Sequence, residues 1–455
     1  MKNFMFKKIE MWFLLLLIIF GILSVVSLMW LVRYETEVPG KFGKFGKYII
    51  SVSKIPGQIK QAIDNPLKNP FIIKDEPNRF GNKSGLITNY QLGSRNTYPF
   101  LLVNYFNLKD KIGVSELIDL NSGQNYQIQK WDVERLWRET NAKSIHFDLV
   151  RDFPNYRFLP SGIVLTKDGY IIAHNYTPLI ESDLCGNLKI LNDDNFYHHS
   201  LEEDADGNYW APILIEPKKN NVNFVEQRED GITKFNSKGE TLFQKSIFDI
   251  IFENGLSSIL HAVNLGYPDT DPFHLNDVEP VLKNSEHWKK GDVFISLRNR
   301  SMVLLYRPDN NKVIWYKTSI TSQQHDIDII SDNEITIFDN NIGGQYNKPP
   351  ELVNNLVKYN FENDEISYLF AKQILEANIK TRYAGSSDPY TKDGFILEES
   401  NYGRIVGISK SNNLEWEYIN RQGSEKILMT IGGSRIISRN LALSFLDKRN
   451  KATCF

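Results

Sequence analysis

Similar segments recur at wide intervals along the chain, and these internal repeats constrain its fold more than any other feature. Residues 197–214 align with residues 323–340, and in that alignment His199 falls on His325. Two further pairs match in the same way: NNKVIWYKT (310–318) with NNLEWEYIN (412–420), and LTKDGYIIAH (165–174) with YTKDGFILEE (390–399). Each pair joins a turn to an apolar stretch, which indicates repeated β units.

From about residue 81 onward, short apolar runs alternate with turns rich in Asn, Asp and Gly, as is typical of β-strands. The units return at intervals of roughly 45–65 residues, a period typical of β-propeller blades. In such a ring, neighbouring sheets cover each other's apolar faces and edges. The sequence therefore predicts an all-β, six-bladed propeller whose C-terminal strands (427–446) complete the ring. The predicted blades begin near residues 97, 159, 198, 274, 325 and 384.

The segment QQHDIDIISDNEITIFDNN (323–341) illustrates the start of one blade. Isoleucines alternate with polar residues on both sides of a turn at 331–333, at positions 327, 329, 335 and 337. This pattern predicts a β-hairpin. His325 and Asp326 lie at its mouth, where a side chain is able to face a cavity rather than a core.

Residues 11–32 (MWFLLLLIIFGILSVVSLMWLV) contain no charged side chain. A helix of this length spans a hydrocarbon core of roughly 30 Å. The run is longer than a usual signal-peptide core and no A-x-A-like site follows it, which favours an uncleaved anchor over a cleaved signal. Lys2, Lys7 and Lys8 precede it and favour a cytoplasmic N-terminus. We therefore expect a single-pass membrane protein whose large C-terminal domain lies outside the cytoplasm.

The expected organisation has four parts. They are a cytoplasmic N-terminus (1–10), a transmembrane anchor (11–32), a juxtamembrane linker (33–80) and a β-propeller (81–455). Within the linker, GKFGKFGK (40–47) is interpreted either as a flexible basic spacer or as a contact for anionic lipid headgroups.

Charge and cysteine content exclude two classes of protein. The 53 Lys and Arg residues nearly balance the 55 Asp and Glu residues, so no basic surplus indicates nucleic-acid binding. The two cysteines, Cys185 and Cys454, are too few for a disulfide framework. The sequence leaves open whether they pair, and it leaves the oligomeric state open as well.

Reactive side chains are concentrated where the predicted blades begin, at the rim of the central channel. Those at three successive blade starts are His198 and His199, then His274, Asn276 and Asp277, then His325 and Asp326. Arg298 lies among apolar neighbours in a predicted strand, and because burying it alone is costly it should be paired or line a polar cavity. Histidine titrates near neutral pH and arginine binds an oxyanion through two hydrogen bonds. The set therefore predicts an anion site with acid–base capacity.

Two other interpretations of the histidines remain open. Propellers of the WD type contain a structural His bonded to an Asp, and three histidines also resemble a zinc set. No carboxylate clearly completes such a set and Arg298 would repel a cation, so we expect no metal. The remaining histidines lack such neighbours and are interpreted as structural or surface residues: His146, His174, His261 and His287.

At these residues the chain resembles the arylsulfotransferases that use aryl sulfate donors. FHLND, then GDVFISLRNRSMVLLYRPDNNKVIWY, then QQHDIDIISDNEITIFDNN follow the family's order of motifs. That order is His-x-Asn, then Ser-x-Arg with a Val-x-Trp strand, then Gln-His-Asp with Phe-Asp-Asn. HHSLEEDADGNYW is similar to the family's earlier His-His blade. The match covers roughly residues 160–420.

The resemblance implies a propeller, in the periplasm or outside the cell, that transfers a sulfuryl group from a phenolic sulfate ester to a phenol. It also implies that the transfer uses no nucleotide donor and no cofactor. His325 would be the nucleophile and would form a transient sulfohistidine. Arg298, His274 and Asn276 would hold the sulfuryl oxygens.

The resemblance further implies that His199, or alternatively His198, assists proton transfer at the phenolic oxygen. His198 would also belong to the substrate-binding residues. The alternatives to this function are a non-catalytic, membrane-anchored propeller that binds a sulfated ligand or a protein partner, and a sulfate-ester hydrolase.

Overall fold

The computed structural model describes residues 10–37, 70–73, 78–140, 154–215, 228–261, 271–342, 352–410, 414–423 and 427–454, and pairs of residues between 42 and 56. The chain divides into two compact units, Met1–Lys68 and Asn69–Phe455. Lys2, Lys7, Lys8 and His146 lie outside the described residues, and the segment 40–47 lies inside them only in part.

In the first unit, helix α1 (Met11–Glu37) is 27 residues long. Its stretch Met11–Glu35 is long and apolar enough to cross a membrane. At a rise of 1.5 Å per residue the helix measures about 40 Å, against roughly 30 Å for a hydrocarbon core. Its large apolar side chains are exposed, for example Phe20 at 72%. A signal sequence passes the same test of length and composition, so α1 is a candidate membrane span.

In the second unit, six of the antiparallel sheets formed by the described strands are arranged as the blades of a propeller. Strand β1 (Gly85–Thr88) comes first in the chain and pairs with the last blade. Blade I contains β2 (Phe100–Asn107), β3 (Ile112–Asp119) and β4 (Asn125–Trp131). Blade II contains β5 (Gly162–Leu165), β6 (Ile171–His174), β7 (Leu179–Ser182) and β8 (Leu188–Asn192). Blade III contains β9 (Phe196–Tyr197), β10 (Glu202–Glu203), β11 (Tyr209–Leu214), β12 (Asp230–Phe235) and β13 (Thr241–Ser246).

The second half of the ring follows the same plan. Blade IV contains β14 (Leu275–Pro280), β15 (Val293–Leu297), β16 (Met302–Arg307) and β17 (Lys312–Thr318). Blade V contains β18 (Ile327–Ile329), β19 (Glu334–Asp339), β20 (Asn355–Asn360) and β21 (Glu365–Leu369). Blade VI contains β22 (Ser387–Thr391), β23 (Gly394–Glu399), β24 (Arg404–Ser409) and β25 (Leu414–Ile419). These blades confirm the predicted all-β, six-bladed propeller.

Short helices connect or cover the blades. The α-helices are α2 (Glu134–Glu139), α3 (Ile247–Glu253) and α4 (Ala371–Glu376). The 3-10 helices are Asn155–Arg157, Ser257–His261, Arg298–Arg300, Pro308–Asn310 and Ser400–Tyr402.

The C-terminal segment closes the ring, as predicted, but only in part as strand. After a short pair, β26 (Arg421–Gln422) and β27 (Ile427–Leu428), strand β28 (Ile431–Ile437) pairs with β2 as the fourth strand of blade I. The prediction of strand through residue 446 is wrong, because helix α5 (Arg439–Lys451) begins after the Ser438 cap. Ala442 and Phe445 are buried three residues apart on one face of that helix.

The internal repeats of the sequence occupy equivalent places in the blades. The two Lys-Asp-Gly turns join β5 to β6 and β22 to β23, and the two Trp-containing segments form β17 and β25. The predicted hairpin is also confirmed, since Ile327 pairs with Ile337 and Ile329 with Ile335.

Aspartate carboxylates join the innermost strands of successive blades. Each carboxylate accepts a backbone N–H from the next blade: Asp277 from Ile327 (2.9 Å), Asp326 from Ser387 (2.7 Å) and Asp388 from Ile436 (2.9 Å). Because these bonds satisfy buried N–H groups at the channel wall, they fix the positions of the strand starts that carry the site residues.

The two cysteines, whose pairing the sequence left open, form a disulfide. Cys185, in the turn between β7 and β8, is bonded to Cys454, three residues beyond α5.

We expect Cys454→Ser to lower the free energy of unfolding by about 2–4 kcal/mol, because the unfolded chain regains the entropy of a long loop. Thermal unfolding of the whole chain measures this, and reductant should lower the midpoint of the wild type but not of the variant. Equal midpoints for variant and wild type would contradict the prediction.

Candidate active site

Four residues near the starts of the innermost strands have left-handed backbone. Their φ angles are +58° at His199, +51° at His274, +64° at Gln323 and +54° at Ala384. Residues other than glycine seldom adopt such angles, and when they do they cluster at functional sites. In blade III the innermost strand is also interrupted, because β9 and β10 pair separately with β11 and His199 lies between them.

His325 is 6% exposed, and both of its ring nitrogens have defined partners. Its Nδ1 lies 2.5 Å from Oδ1 of Asn340. That amide is fixed because its Nδ2 donates to the carbonyl oxygens of Thr381 (3.1 Å) and Ala384 (2.8 Å), so Oδ1 accepts the proton of Nδ1. The backbone N–H of Ala384 donates to Nε2 over 3.1 Å, which requires a lone pair there. Both contacts assign the same neutral tautomer, with the proton on Nδ1.

The surroundings of His325 favour this neutral form. Burial lowers the pKa of His325 well below its ordinary value, and the charge of Arg298 lowers it further. The hydrogen bond with Asn340 acts in the opposite direction without outweighing them. At neutral pH the ring therefore keeps a lone pair on Nε2.

Arg298 lies one residue beyond β15, in the 3-10 helix Arg298–Arg300, rather than in the strand that the sequence predicted. It is 2% exposed. Its Nη1 donates to Oδ1 of Asn299 and its Nη2 to Oε1 of Gln323, both over 3.0 Å. The guanidinium also lies over the ring of Tyr383, 5.6 Å from its centroid. Neutral amides and an aromatic face thus hold a cation near His325.

His274 forms a pair with a carboxylate that the sequence analysis did not single out. Its Nδ1 lies 2.6 Å from Oδ2 of Asp271. The same oxygen accepts a hydrogen bond from Nη1 of Arg228 at 3.1 Å. Burial alone would raise the pKa of Asp271, but the hydrogen bond and charge of His274 and the charge of Arg228 hold it at about 2. Asp271 is therefore ionised at neutral pH.

His199 lies between the other histidines. Its Nδ1 is 2.8 Å from Nδ1 of His198, so one of these two nitrogens donates to the other. Its ring centroid lies 5.1 Å from that of His274 and 6.3 Å from that of His325. Burial, and then the charges of His198 and His274, lower the pKa of His199 well below its ordinary value. Nε2 of His198 faces Oδ1 of Asp230 at 3.8 Å.

Asn276 links the blades that carry Arg298 and His325. Its Nδ2 donates one hydrogen to the carbonyl oxygen of Gln324 over 2.8 Å. Gln324 is itself fully buried and donates from Nε2 to the carbonyl oxygen of Met302 at 2.9 Å. These bonds hold the segment that presents His325, and they leave Asn276 a second amide hydrogen.

The central channel contains a cavity of about 540 Å³ that is lined by His199, Asn276 and His325. Carboxylates also line it, together with Arg435: Glu202, Glu279, Asp326, Asp328, Asp388 and Glu398. Burial and the neighbouring carboxylates raise the pKa of Asp326 and Asp328 well above the ordinary value. Arg435 forms an ion pair with Glu202. Where these carboxylates are ionised they disfavour an anion in the cavity, whereas the charge of Arg298, which acts on His325, favours one beside that ring.

The structure thus brings together the six residues that the sequence singled out as the site: His198, His199, His274, Asn276, Arg298 and His325. Asp326 bonds to blade VI instead of orienting the ring of His325. In the described part of the chain, no group of three or more His, Cys, Asp or Glu residues is placed to hold a metal ion.

The structure also describes three histidines outside the predicted set, of which His174 contacts the segment that carries His198 and His199. His174 is fully buried, its Nε2 is 3.4 Å from the carbonyl oxygen of Ser200, and burial lowers its pKa to about 4. The ring of His287 packs on Phe361 with centroids 5.7 Å apart. His261 ends a 3-10 helix.

The sequence analysis missed Asn340, Asp271 and the N–H of Ala384. Asn340 belongs to the Phe-Asp-Asn motif that was noted only for its resemblance, and Asp271 stands three residues before His274 in DPFHLND. A backbone N–H leaves no signal in a sequence.

A family model described as arylsulfotransferase (ASST) matches residues 170–421, more than half of the chain. The chain belongs to the arylsulfotransferase family. Membership implies a sulfotransferase at the family level, with aryl sulfate and phenol substrates. All six predicted site residues lie inside the matched range. No curated protein matches the chain.

The solved structures similar to this chain have low sequence identity to it. A protein of unknown function from Bacteroides caccae is 12% identical, with a TM-score of 0.42 over 75% of this chain and 99% of that chain. TolB from Acinetobacter baumannii is 10% identical, with a TM-score of 0.42 over 74% and 66%. Virginiamycin B lyase from Staphylococcus aureus is 13% identical, with a TM-score of 0.33 over 61% and 84%. No functional inference follows from matches at these identities and TM-scores.

Proposed function

We propose that this arylsulfotransferase moves a sulfuryl group from a phenolic sulfate ester to a phenol in two steps, through a sulfohistidine at His325. The tautomer of His325 is the observation that carries the proposal. Two independent contacts, to Asn340 and Ala384, leave the lone pair on Nε2. A neutral, buried imidazole with a fixed lone pair is suited to nucleophilic attack on sulfur.

In the first step, Nε2 of His325 attacks the sulfur of the donor. The N–S bond forms, and the bond from sulfur to the aryl oxygen breaks with its electron pair on oxygen. The ring keeps its Nδ1 proton and becomes positively charged, so the hydrogen bond to Oδ1 of Asn340 gains strength as the charge develops. The departing phenolate takes a proton from water and leaves as a phenol, because the lowered pKa of His199 leaves that ring neutral.

Charge on the sulfuryl oxygens is stabilised by donors around His325. Arg298 offers a guanidinium, and Asn276 offers its second amide hydrogen. The N–H of Ala384, which donates to Nε2 in this structure, is released when Nε2 bonds to sulfur. That N–H then lies next to a sulfuryl oxygen and serves as one more donor.

In the second step, an acceptor phenol gives its proton to His199 and its oxygen attacks the sulfur. The N–S electron pair returns to Nε2 of His325. The lowered pKa of His199 suits this role, because the ring is neutral and able to accept the proton. His199 then gives the proton taken from the acceptor to water, which replaces the proton that the leaving phenolate took up, so the cycle balances.

Loss of the Asn340 side chain should impair the nucleophile without removing it. We expect Asn340→Ala to lower kcat on the order of 10²-fold, because Nδ1 of His325 loses the acceptor that fixes its tautomer and stabilises its charge. The KM for the donor should change little, since Asn340 does not face the sulfuryl group. Steady-state kinetics measure both values. A kcat within about threefold of wild type would mean that Ala384 alone sets the tautomer.

We further propose residues 11–32 as the anchor, 33–80 as the linker and 81–455 as the catalytic domain outside the cytoplasm. The apolar α1 supports the anchor. The disulfide between Cys185 and Cys454 supports an oxidising compartment, since disulfides are rare in the cytosol.

The test of the function is release of para-nitrophenol from para-nitrophenyl sulfate by the whole chain in detergent, with and without added phenol. Sustained release that requires phenol supports transfer. Release that is indifferent to phenol would indicate a hydrolase. No release with a range of phenolic donors and acceptors, from folded protein, would contradict the enzyme and favour a propeller that only binds.

A further inference from the structure

Phe71 lines the central cavity although it comes before the first strand of the propeller. It lies in the segment 33–80 that the sequence predicted to be a linker, and outside the range 170–421 that the family model matches. Its side chain is partly buried. The wall of the candidate site therefore includes a residue that belongs to none of the six blades.

Backbone hydrogen bonds fix the position of Phe71. Its carbonyl oxygen accepts the N–H of Thr430 over 2.8 Å, and the N–H of Ile73 donates to the carbonyl oxygen of Leu428 over 2.9 Å. An antiparallel bridge lies between these two bonds. Residues 70–73 are therefore held against the segment that leads into β28, and Thr430 of that segment also lines the cavity.

The ring of Phe71 is supported by a second aromatic ring. It stacks on the ring of Phe106, with the centroids 5.4 Å apart and the planes inclined by 30°. Phe106 lies in β2 and is 1% exposed, so it is itself fixed in the fold. A ring that is already held in place loses little freedom when a ligand packs on it.

Among the described residues that line the cavity, Phe71 is the only phenylalanine, tyrosine or tryptophan. Several aliphatic residues of the lining belong to the hydrophobic cores between blades: Ile163, Leu201, Ile327 and Ile431. Carboxylates, histidines and amides form much of the remaining wall. An aryl ring gains free energy when it leaves water for an apolar surface, and it gains more against another aromatic ring.

A series of contacts along the cavity wall links the segment of Phe71 to His325. The 3-10 helix that contains Asn401 packs against β28, which begins directly after the residues that pair with that segment. Oδ1 of Asn401 accepts the N–H of Tyr383 over 2.8 Å. The next residue, Ala384, donates its N–H to Nε2 of His325. Phe71 and the proposed nucleophile therefore belong to the wall of the same cavity.

We propose that Phe71 is a specificity-determining residue, whose ring packs on the aryl ring of the substrate while the sulfuryl group lies beside His325. The inference rests on the proposed function, because it names the residue that receives the aryl part of the same substrate. The cavity of about 540 Å³ has the size of a site for a small molecule. Phe71 touches no reacting atom, so its loss should weaken the binding of aryl compounds.

The test compares the affinities of benzenesulfonate and methanesulfonate for the whole chain in detergent, measured by calorimetry. Both anions carry three oxygens on sulfur, and neither has an ester oxygen that could leave, so neither is consumed. We expect the wild type to bind benzenesulfonate at least about tenfold more tightly, because its ring leaves water. Phe71→Ala should lower this preference roughly three- to tenfold, because the aromatic contact is lost. The affinity for methanesulfonate should stay within about twofold of wild type.

Two further variants separate a contact with the ligand from a role in the fold. Phe71→Tyr keeps the ring and should keep the preference for benzenesulfonate. The matched control is Phe361→Ala, which removes a partly buried ring that packs on Trp315 and does not line the cavity. It should leave both affinities unchanged. If Phe71→Ala does not fold, Phe71→Leu removes the aromatic face, keeps most of the volume and is read in the same way.

Three results would overturn the proposal. They are a wild type that does not prefer benzenesulfonate, an unchanged preference in Phe71→Ala, and an equal loss of affinity for both anions in that variant. Because the readout is binding, the test stands even if no transferase activity is found. A failure of the proposed function is seen separately in the para-nitrophenol assay.

Discussion

The substitution His325→Ala is expected to lower the rate of sulfuryl transfer by at least about 10⁴-fold, because it removes the atom that forms the covalent intermediate. No other side chain of the site replaces Nε2, since His199 lies at a ring distance of 6.3 Å and is assigned to proton transfer. Both half-reactions should disappear together. Release of para-nitrophenol in the absence of acceptor, followed within one turnover, measures the first half-reaction directly.

The matched control for this substitution is His287→Ala, which removes a histidine that packs on Phe361 away from the channel. It should leave turnover within about twofold of wild type. Thermal unfolding of both variants shows whether the propeller remains folded. If His325→Ala retains more than about a tenth of the wild-type rate, the nucleophile is a different group.

Arg298→Lys is expected to lower kcat about 10²- to 10³-fold although the positive charge is kept. Lysine has no planar fork, so it cannot bond to both Asn299 and Gln323 while also facing a sulfuryl oxygen. The loss should appear mainly in kcat, because charge on the sulfuryl oxygens changes as the transition state forms. Steady-state kinetics with donors of different leaving-group acidity measure the effect.

Arg307→Lys serves as the control for Arg298→Lys. Arg307 lies on the same blade and makes a two-pronged bond to Asp292, with distances of 2.7 and 2.6 Å, but it does not face the site. Its substitution should cost some stability and leave kcat unchanged. If the two lysine variants lose activity equally, Arg298 acts through the fold of blade IV and not on the sulfuryl group.

The ring of blades was predictable because each blade repeats short segments that are similar in sequence. The alignment of His199 with His325 and the two Lys-Asp-Gly turns correspond to equivalent positions in the structure. The same repeats place reactive side chains at strand starts, which is why the sequence singled out six residues that the structure brings together. In a propeller, the innermost strands of all blades meet at one channel, so side chains at their starts come together although they are far apart along the chain.

What the sequence did not predict depends on partners distant in the chain or on backbone conformation. The donor to Nε2 of His325 is the N–H of Ala384, whose left-handed φ of +54° has no counterpart in residue type. Asn340 acquires its role only because its amide is anchored to Thr381 and Ala384, some forty residues later. Helix α5 was mistaken for strand because its short apolar pattern follows directly on β28.

The most direct measurement is the mass of the whole chain after brief mixing with para-nitrophenyl sulfate in the absence of any phenol acceptor. We predict a gain equal to one SO₃ group per chain, located on the peptide that contains His325, labile in acid and lost when phenol is added. His325→Ala should show no gain. A gain on another residue would contradict His325 as the nucleophile. Transfer that proceeds at full rate with no covalent adduct at the shortest mixing times would contradict the two-step mechanism.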